Sequence, residues 1–223
     1  MTYVSPKLIR IRNSFERARS AQEYFVLSLP NVYRRQGNKG VPMGKSQRER
    51  LCEMAFVILF TAWEEFLESA FEMYVVDAPL ASFKSRHRVL VVDLDTAHDL
   101  IRGGRRYAEW GDSALVRDRA KVFFKNGEPF ESALSSVSDD LTKMRIIRNR
   151  CVHFSKHSAE QYQRMIRNVF GSRQQLPPGK LLLNRPPKAL SSASGANTYA
   201  TVFQLYGEIL STASFQIIPE NRR

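Results

Sequence analysis

Apolar residues return every third or fourth position along most of this chain, the spacing of helices that bury one side. Leu8, Ile11, Phe15, Ala18, Ala21 and Phe25 predict a helix from Pro6 to Leu29, which Pro30 ends. Asn31 to Gly44 reads as a basic, Gly-containing loop. A second, long helix is expected from Lys45 to Val76. Its inward stripe of Leu51, Met54, Ile58, Phe66, Ala70 and Met73 is broad, as in a helix covered on more than one side.

The middle of the chain, about Ala78 to Glu128, is less regular and is read as an insertion packed on a helical core. It holds an apolar run, Val89 to Val92, that suits a short extended segment. Asp95 or Thr96 is expected to cap a helix interrupted by Gly103-Gly104, and Ser113 to Phe124 reads as a further short helix. Periodicity then predicts one helix from Glu128 or Pro129 to Phe154. A capping box of Ser158 and Gln161 opens the next, which reaches Phe170 before Gly171. Gln174 to Gly195 reads as a loop. A last helix is expected from about Thr198 to Ala213, with Val202, Leu205, Ile209 and Leu210 inward. No internal repeat is present. The expected fold class is all-α: an antiparallel helical bundle forming one domain over residues 1–223.

Composition narrows the function classes. At 223 residues with 43% hydrophobic and 11% aromatic content, the chain has enough apolar surface for a real core. The net charge of +12 and pI near 10.0 favour a polyanionic partner, and the dominance of Arg over Lys favours nucleic acid. Cys52 and Cys151 are far apart, lack metal-ligand spacing, and are expected to be reduced thiols of a cytoplasmic protein. No zinc-binding or cofactor pattern is visible. The Met1 to Arg12 segment lacks the pattern of a secretory signal. The apolar run Met54 to Trp63 is about half the ~20 residues a membrane span needs, so no membrane partner is expected. Gly37-Asn38-Lys39-Gly40 with Gly44-Lys45-Ser46 lacks the spacing and preceding strand of a phosphate loop.

The run Arg148-Asn149-Arg150-Cys151-Val152-His153 carries the most chemistry. A guanidinium grips phosphate through two parallel hydrogen bonds, and an imidazole exchanges protons near neutral pH. Asn149 and His153 lie one turn apart on a helix, while Arg148 sits about 140° round the axis from His153. Both reach one phosphate only through the length of the Arg side chain, a break in the helix, or a second subunit. The alternative is structural: Arg148 bridging to a neighbouring helix, and His153 favoured by the dipole at a helix C-terminus. Arg150 and His157 form a second, looser Arg/His pair.

The pattern Arg, Asn, three residues, His resembles the signature of the HEPN superfamily, in its RiboL-PSP-like branch. The resemblance rests on Met144 to Asn149 leading into the motif and on Phe60-Thr61-Ala62-Trp63-Glu64-Glu65-Phe66-Leu67 upstream. Looser matches lie at Tyr107 to Trp110 and Phe123 to Phe130, and together they span about Lys45 to Phe170. It implies a HEPN-like bundle and a metal-independent, cofactor-free endoribonuclease completed across a homodimer. His153 would then be the acid or base, Arg148 the stabiliser of phosphoryl charge, and Asn149 an orienter. Glu64, expected to be semi-buried, would hold Arg148, although pairing with another Arg is an equal alternative. Arg145 and Arg150 would contact RNA; Lys156 would do so or serve as a helix-end cation. Lys156 also stands where some members carry a Tyr that is modified in toxin–antitoxin pairs, so regulation of that kind is not implied. Such proteins often act in prokaryotic defence with an antitoxin or other regulator. Two other readings remain: a non-catalytic module that binds RNA, nucleotide or protein, and a structural helical protein.

Overall fold

The computed structural model describes residues 4–36, 39–76, 89, 91, 93–104, 108–172, 174–191 and 198–220, and of residues 34–36 the backbone only. The fold is all-α. Among the described residues there are nine α-helices: α1 (Pro6–Ser28), α2 (Lys45–Val76), α3 (Leu94–Arg102), α4 (Ser113–Phe123), α5 (Phe130–Ser135), α6 (Ser138–Val152), α7 (Lys156–Phe170), α8 (Pro178–Leu183) and α9 (Val202–Ile217). No helix among the described residues is long and apolar enough to cross a membrane.

Two compact units share the chain. The first comprises residues 1–17, 62–141 and 210–223; the second comprises 18–61 and 142–209. The core of the first unit gathers around Phe71 of α2. The rings of Trp110, Phe123, Phe124 and Phe130 lie 5.5, 5.6, 5.0 and 5.0 Å from it, in tilted or edge-on contact. Buried polar groups in this unit reach the C-terminal end of α9, whose last carbonyls have no helical partner. The Tyr74 hydroxyl donates to the Ile217 carbonyl at 2.6 Å, and Arg12 Nη1 donates to that of Ile218 at 2.8 Å. Arg12 is 5% exposed and lies over the Phe215 ring, so burial pushes its guanidinium pKa down while Glu220 and Glu16 oppose the shift.

In the second unit Phe56 of α2 packs on Phe203 and Tyr206 of α9, at 6.2 and 6.1 Å. Met144 and Ile147 of α6 and Tyr162, Met165 and Ile166 of α7 are buried as well. The Tyr162 hydroxyl donates to Leu176 O at 2.9 Å, and Lys143 Nζ donates to Leu190 O at 2.6 Å. Gly179, in the first turn of α8, sits against the α2 backbone, and its N–H donates to Glu53 Oε1 at 2.8 Å.

Several local expectations change. The segment read as a loop at Asn31 to Gly44 contains a hairpin, β1 (Tyr33–Gln36) paired antiparallel with β2 (Lys39–Pro42). Four-residue strands rich in charge and Gly lack the alternation that reveals a strand. The loop read at Gln174 to Gly195 contains α8, whose start is marked by Pro178 in its first turn. The single helix from about Pro129 to Phe154 is two, α5 and α6. Ser135 Oγ and Ser136 Oγ bond the carbonyls of Ser132 and Ala133, competing with the helical ladder, and Asp139 and Asp140 suit the start of α6. The caps lie upstream of the expected residues. Asp93 caps α3 by accepting from Thr96 N, and Ser155 caps α7 by accepting from Ser158 N. Of the extended segment expected at Val89 to Val92, Leu90 and Val92 lie outside the described residues, and Val89 and Val91 belong to no strand.

Helix faces shift too. On α1, Ala21 and Phe25 are exposed, while Leu8, Arg12, Phe15 and Val26 are buried, as is Leu29 just past its end. An Arg within the buried stripe concealed it. On α2, Met54 and Ile58 are 60% and 50% exposed, because the covered face runs through Cys52, Ala55, Phe56, Leu59 and Phe60.

Two glycines separate steric from entropic effects. A Cβ on Gly179 would meet Glu49 O at 2.2 Å, whereas one on Gly207 in α9 would meet nothing nearer than 3.8 Å. Gly179→Ala is expected to cost about 1–3 kcal/mol through overpacking, and Gly207→Ala to gain roughly 0.5–1 kcal/mol of helix propensity. Urea unfolding midpoints of the two variants should move in opposite directions.

Candidate functional site

The chemistry-bearing run lies at the end of α6 and in the three-residue link to α7. The His153 N–H still donates to Asn149 O at 2.8 Å, so the helical ladder reaches His153. The His153 carbonyl accepts from Ser158 Oγ at 2.6 Å and from Arg150 Nη1 at 3.3 Å. Ser158 is itself buried and engaged by the Ser155 cap. The backbone carrying His153 is therefore held from both helices, while the residue is exposed. Arg148 is half-buried, and its Nη1 donates to Asn149 Oδ1 at 3.1 Å.

Three of the residues singled out from sequence thus share one helix end: Arg148 with Asn149 through their side chains, and Asn149 with His153 through the backbone. Among the described residues no hydrogen bond joins the Arg148 and His153 side chains. Arg145 and Arg150 are half-buried on the same helix. Lys156, His157 and Phe154 are exposed, and Lys156 approaches Glu160 at only 3.9 Å with both side chains largely in solvent. Glu64 belongs to the first unit, where it is half-buried on α2, the burial expected of it.

Beside this helix end lies a groove of about 630 Å³, wholly within the second unit. One wall is a face of α2: Arg50, Glu53, Met54, Val57 and Ile58. The end of α6 (Arg150, Cys151, Val152), Phe154, and Pro177 and Pro178 complete it. His153 stands between two lining residues. The floor is apolar, and Phe154 is 86% exposed, with the Arg150 guanidinium 5.8 Å from its ring centroid. An arginine beside an open aromatic ring is suited to a stacked base and its phosphate.

Comparison with models of protein families, with curated proteins and with solved structures finds no match to this chain.

The groove was not legible in the sequence. Met54 and Ile58 carry the period of core residues, and nothing local marks them as uncovered. The only signal was an apolar arc on α2 wider than one packing face requires.

Cys151 lines the groove but is a poor nucleophile. Burial raises its thiol pKa from 9.0 to about 12, with Glu53 adding to the shift and Arg150 opposing it. Burial raises Cys52 further. Both cysteines are free. In the unfolded chain such thiols ionise near pH 9, while the folded protein keeps their protons. Above that pH the unfolded state binds fewer protons, so stability falls as pH rises. Each thiol should contribute about 1 kcal/mol per pH unit between the two pKa values. Denaturant melts from pH 8 to 11 should show a shallower decline for Cys151→Ala than for wild type, and native Cys151 should resist iodoacetamide at pH 8.

Proposed function

We propose that the chain is a metal-independent endoribonuclease of HEPN type, working as a homodimer. The observation that carries the reading is the end of α6: Arg148 and Asn149 hydrogen-bonded to each other, and an exposed His153 on a backbone held by Arg150 and Ser158. In this reading His153 takes the proton of a ribose 2′-hydroxyl, whose oxygen attacks the adjacent phosphorus. Arg148 balances the charge that builds on the phosphoryl oxygens. The protonated His153 returns its proton to the departing 5′-oxygen, and the other product ends in a 2′,3′-cyclic phosphate. Arg150, with Phe154 beside it, supports the neighbouring nucleotide, and Arg145 and Lys156 add phosphate contacts. Two copies of the motif meeting across a dimer axis would bring the Arg148 of one protomer to the His153 of the other.

A cytoplasmic role in prokaryotic defence, held silent by an antitoxin or other regulator, suits such an activity and rests on the resemblance alone. The second reading is a non-catalytic RNA-binding module. It is favoured by the unjoined Arg148 and His153 side chains and by the open Arg150–Phe154 pair, which is a binding feature more than a catalytic one.

Purified protein incubated with RNA in EDTA is expected to leave cyclic-phosphate ends. Arg148→Ala and His153→Ala should each slow cleavage about 100-fold or more. Intact RNA, with salt-sensitive binding that weakens in Arg150→Ala and Phe154→Ala, would instead establish the binding module.

A further inference from the structure

Away from the α6 helix end, the first unit brings together a second set of chemically distinctive side chains. Glu68 and Glu72 lie one turn apart on α2 and so share a face. His98 of α3 meets them there, its Nδ1 within hydrogen-bond reach of Glu72 Oε1. One ligand atom from each of the three lies within 4.8 Å of the other two, and all three residues are half-buried. The imidazole is well placed by its helix. Asp93 caps the N-terminus of α3, Gly103 closes its C-terminus in the left-handed conformation, and Ala97 and Ile101 are buried on the adjoining face.

We propose that Glu68, Glu72 and His98 bind one divalent transition-metal ion of the zinc class. Two carboxylates a turn apart repel each other, and among the described residues Glu68 has no basic partner, although the chain carries a net charge of +12. A cation between the three groups removes that repulsion. Tetrahedral zinc with bonds of about 2.0–2.1 Å needs its ligand atoms roughly 3.3 Å apart, so the ion replaces the 2.5 Å Glu72–His98 hydrogen bond, that pair opening by about 0.8 Å while any wider gap, 4.8 Å at most, closes through Glu rotamers. The donor set selects the metal: an imidazole nitrogen with two carboxylate oxygens suits zinc and its neighbours, whereas magnesium and calcium favour oxygen alone. Three protein ligands leave the fourth tetrahedral position to water. The ion fastens α3 to α2 through ligands 26 residues apart in sequence. It takes no part in the RNA chemistry proposed for the second unit.

The test is zinc titration into the metal-stripped, full-length protein by calorimetry, with cobalt(II) absorption as a report on coordination and no RNA present. One equivalent is expected to bind, to raise the melting temperature, and to resist competition by magnesium. His98→Ala, Glu68→Gln and Glu72→Gln should each weaken binding at least 10-fold. Glu68→Gln leaves the Glu72–His98 contact in place, so its loss of zinc would not reflect unfolding. Cys52→Ala/Cys151→Ala and His153→Ala/His157→Ala should bind as wild type does. Absence of saturable zinc uptake, or uptake unchanged by Glu68→Gln and His98→Ala, would overturn the proposal. RNA cleavage is measured in EDTA, so failure of the nuclease reading leaves this result untouched, and the reverse also holds.

Discussion

Burial of the apolar sides of α2 is the constraint on which most of this structure depends. In the first unit the helix supplies Trp63, Phe66, Leu67, Phe71 and Tyr74, and in the second Cys52, Ala55, Phe56, Leu59 and Phe60, all of them buried. Burying a side chain of this size stabilises by roughly 1.5–3 kcal/mol, so each core draws much of its driving force from one helix. The surface that remains also comes from α2. Met54 and Ile58 stay uncovered and, with half-buried Val57, wall the groove, and Glu68 and Glu72 face His98.

Packed helices also need their polar ends satisfied. Long side chains carry much of that task here: Arg12 and Tyr74 bond the terminal carbonyls of α9, Lys143 and Tyr162 bond loop carbonyls, and Glu53 accepts from the first turn of α8. Leaving such a carbonyl or N–H buried without a partner costs about 1–3 kcal/mol. These bonds therefore fix where loops and helix ends can lie. The end of α6 follows the same rule, since the His153 carbonyl bonded by Arg150 and Ser158 is what holds the motif backbone.

That arrangement gives the α6 end an unusual balance of order and exposure. The residues that carry charge and protons project from a stiff backbone, while an apolar groove with an open aromatic ring runs alongside. Desolvation keeps the thiol of Cys151, half-buried in the groove lining, in its protonated form at neutral pH. The proposed function accordingly draws its phosphate and base contacts from Arg150, Phe154 and the Arg148–Asn149–His153 set.

Sequence by itself determined the all-α class, the limits of α2 and the nearness of Arg148, Asn149 and His153, because helical period and short chain separation are local properties. Gly171 and Pro30 marked helix ends for the same reason. Tertiary structure decided which apolar residues are covered: Met54 and Leu59 look alike in sequence, and only packing leaves one exposed and the other buried. It also decided that Arg12 belongs to a core, that residues 178–183 form a helix, and that His98 meets Glu68 and Glu72. Each of these depends on a partner distant in sequence, and a local pattern carries no record of such partners.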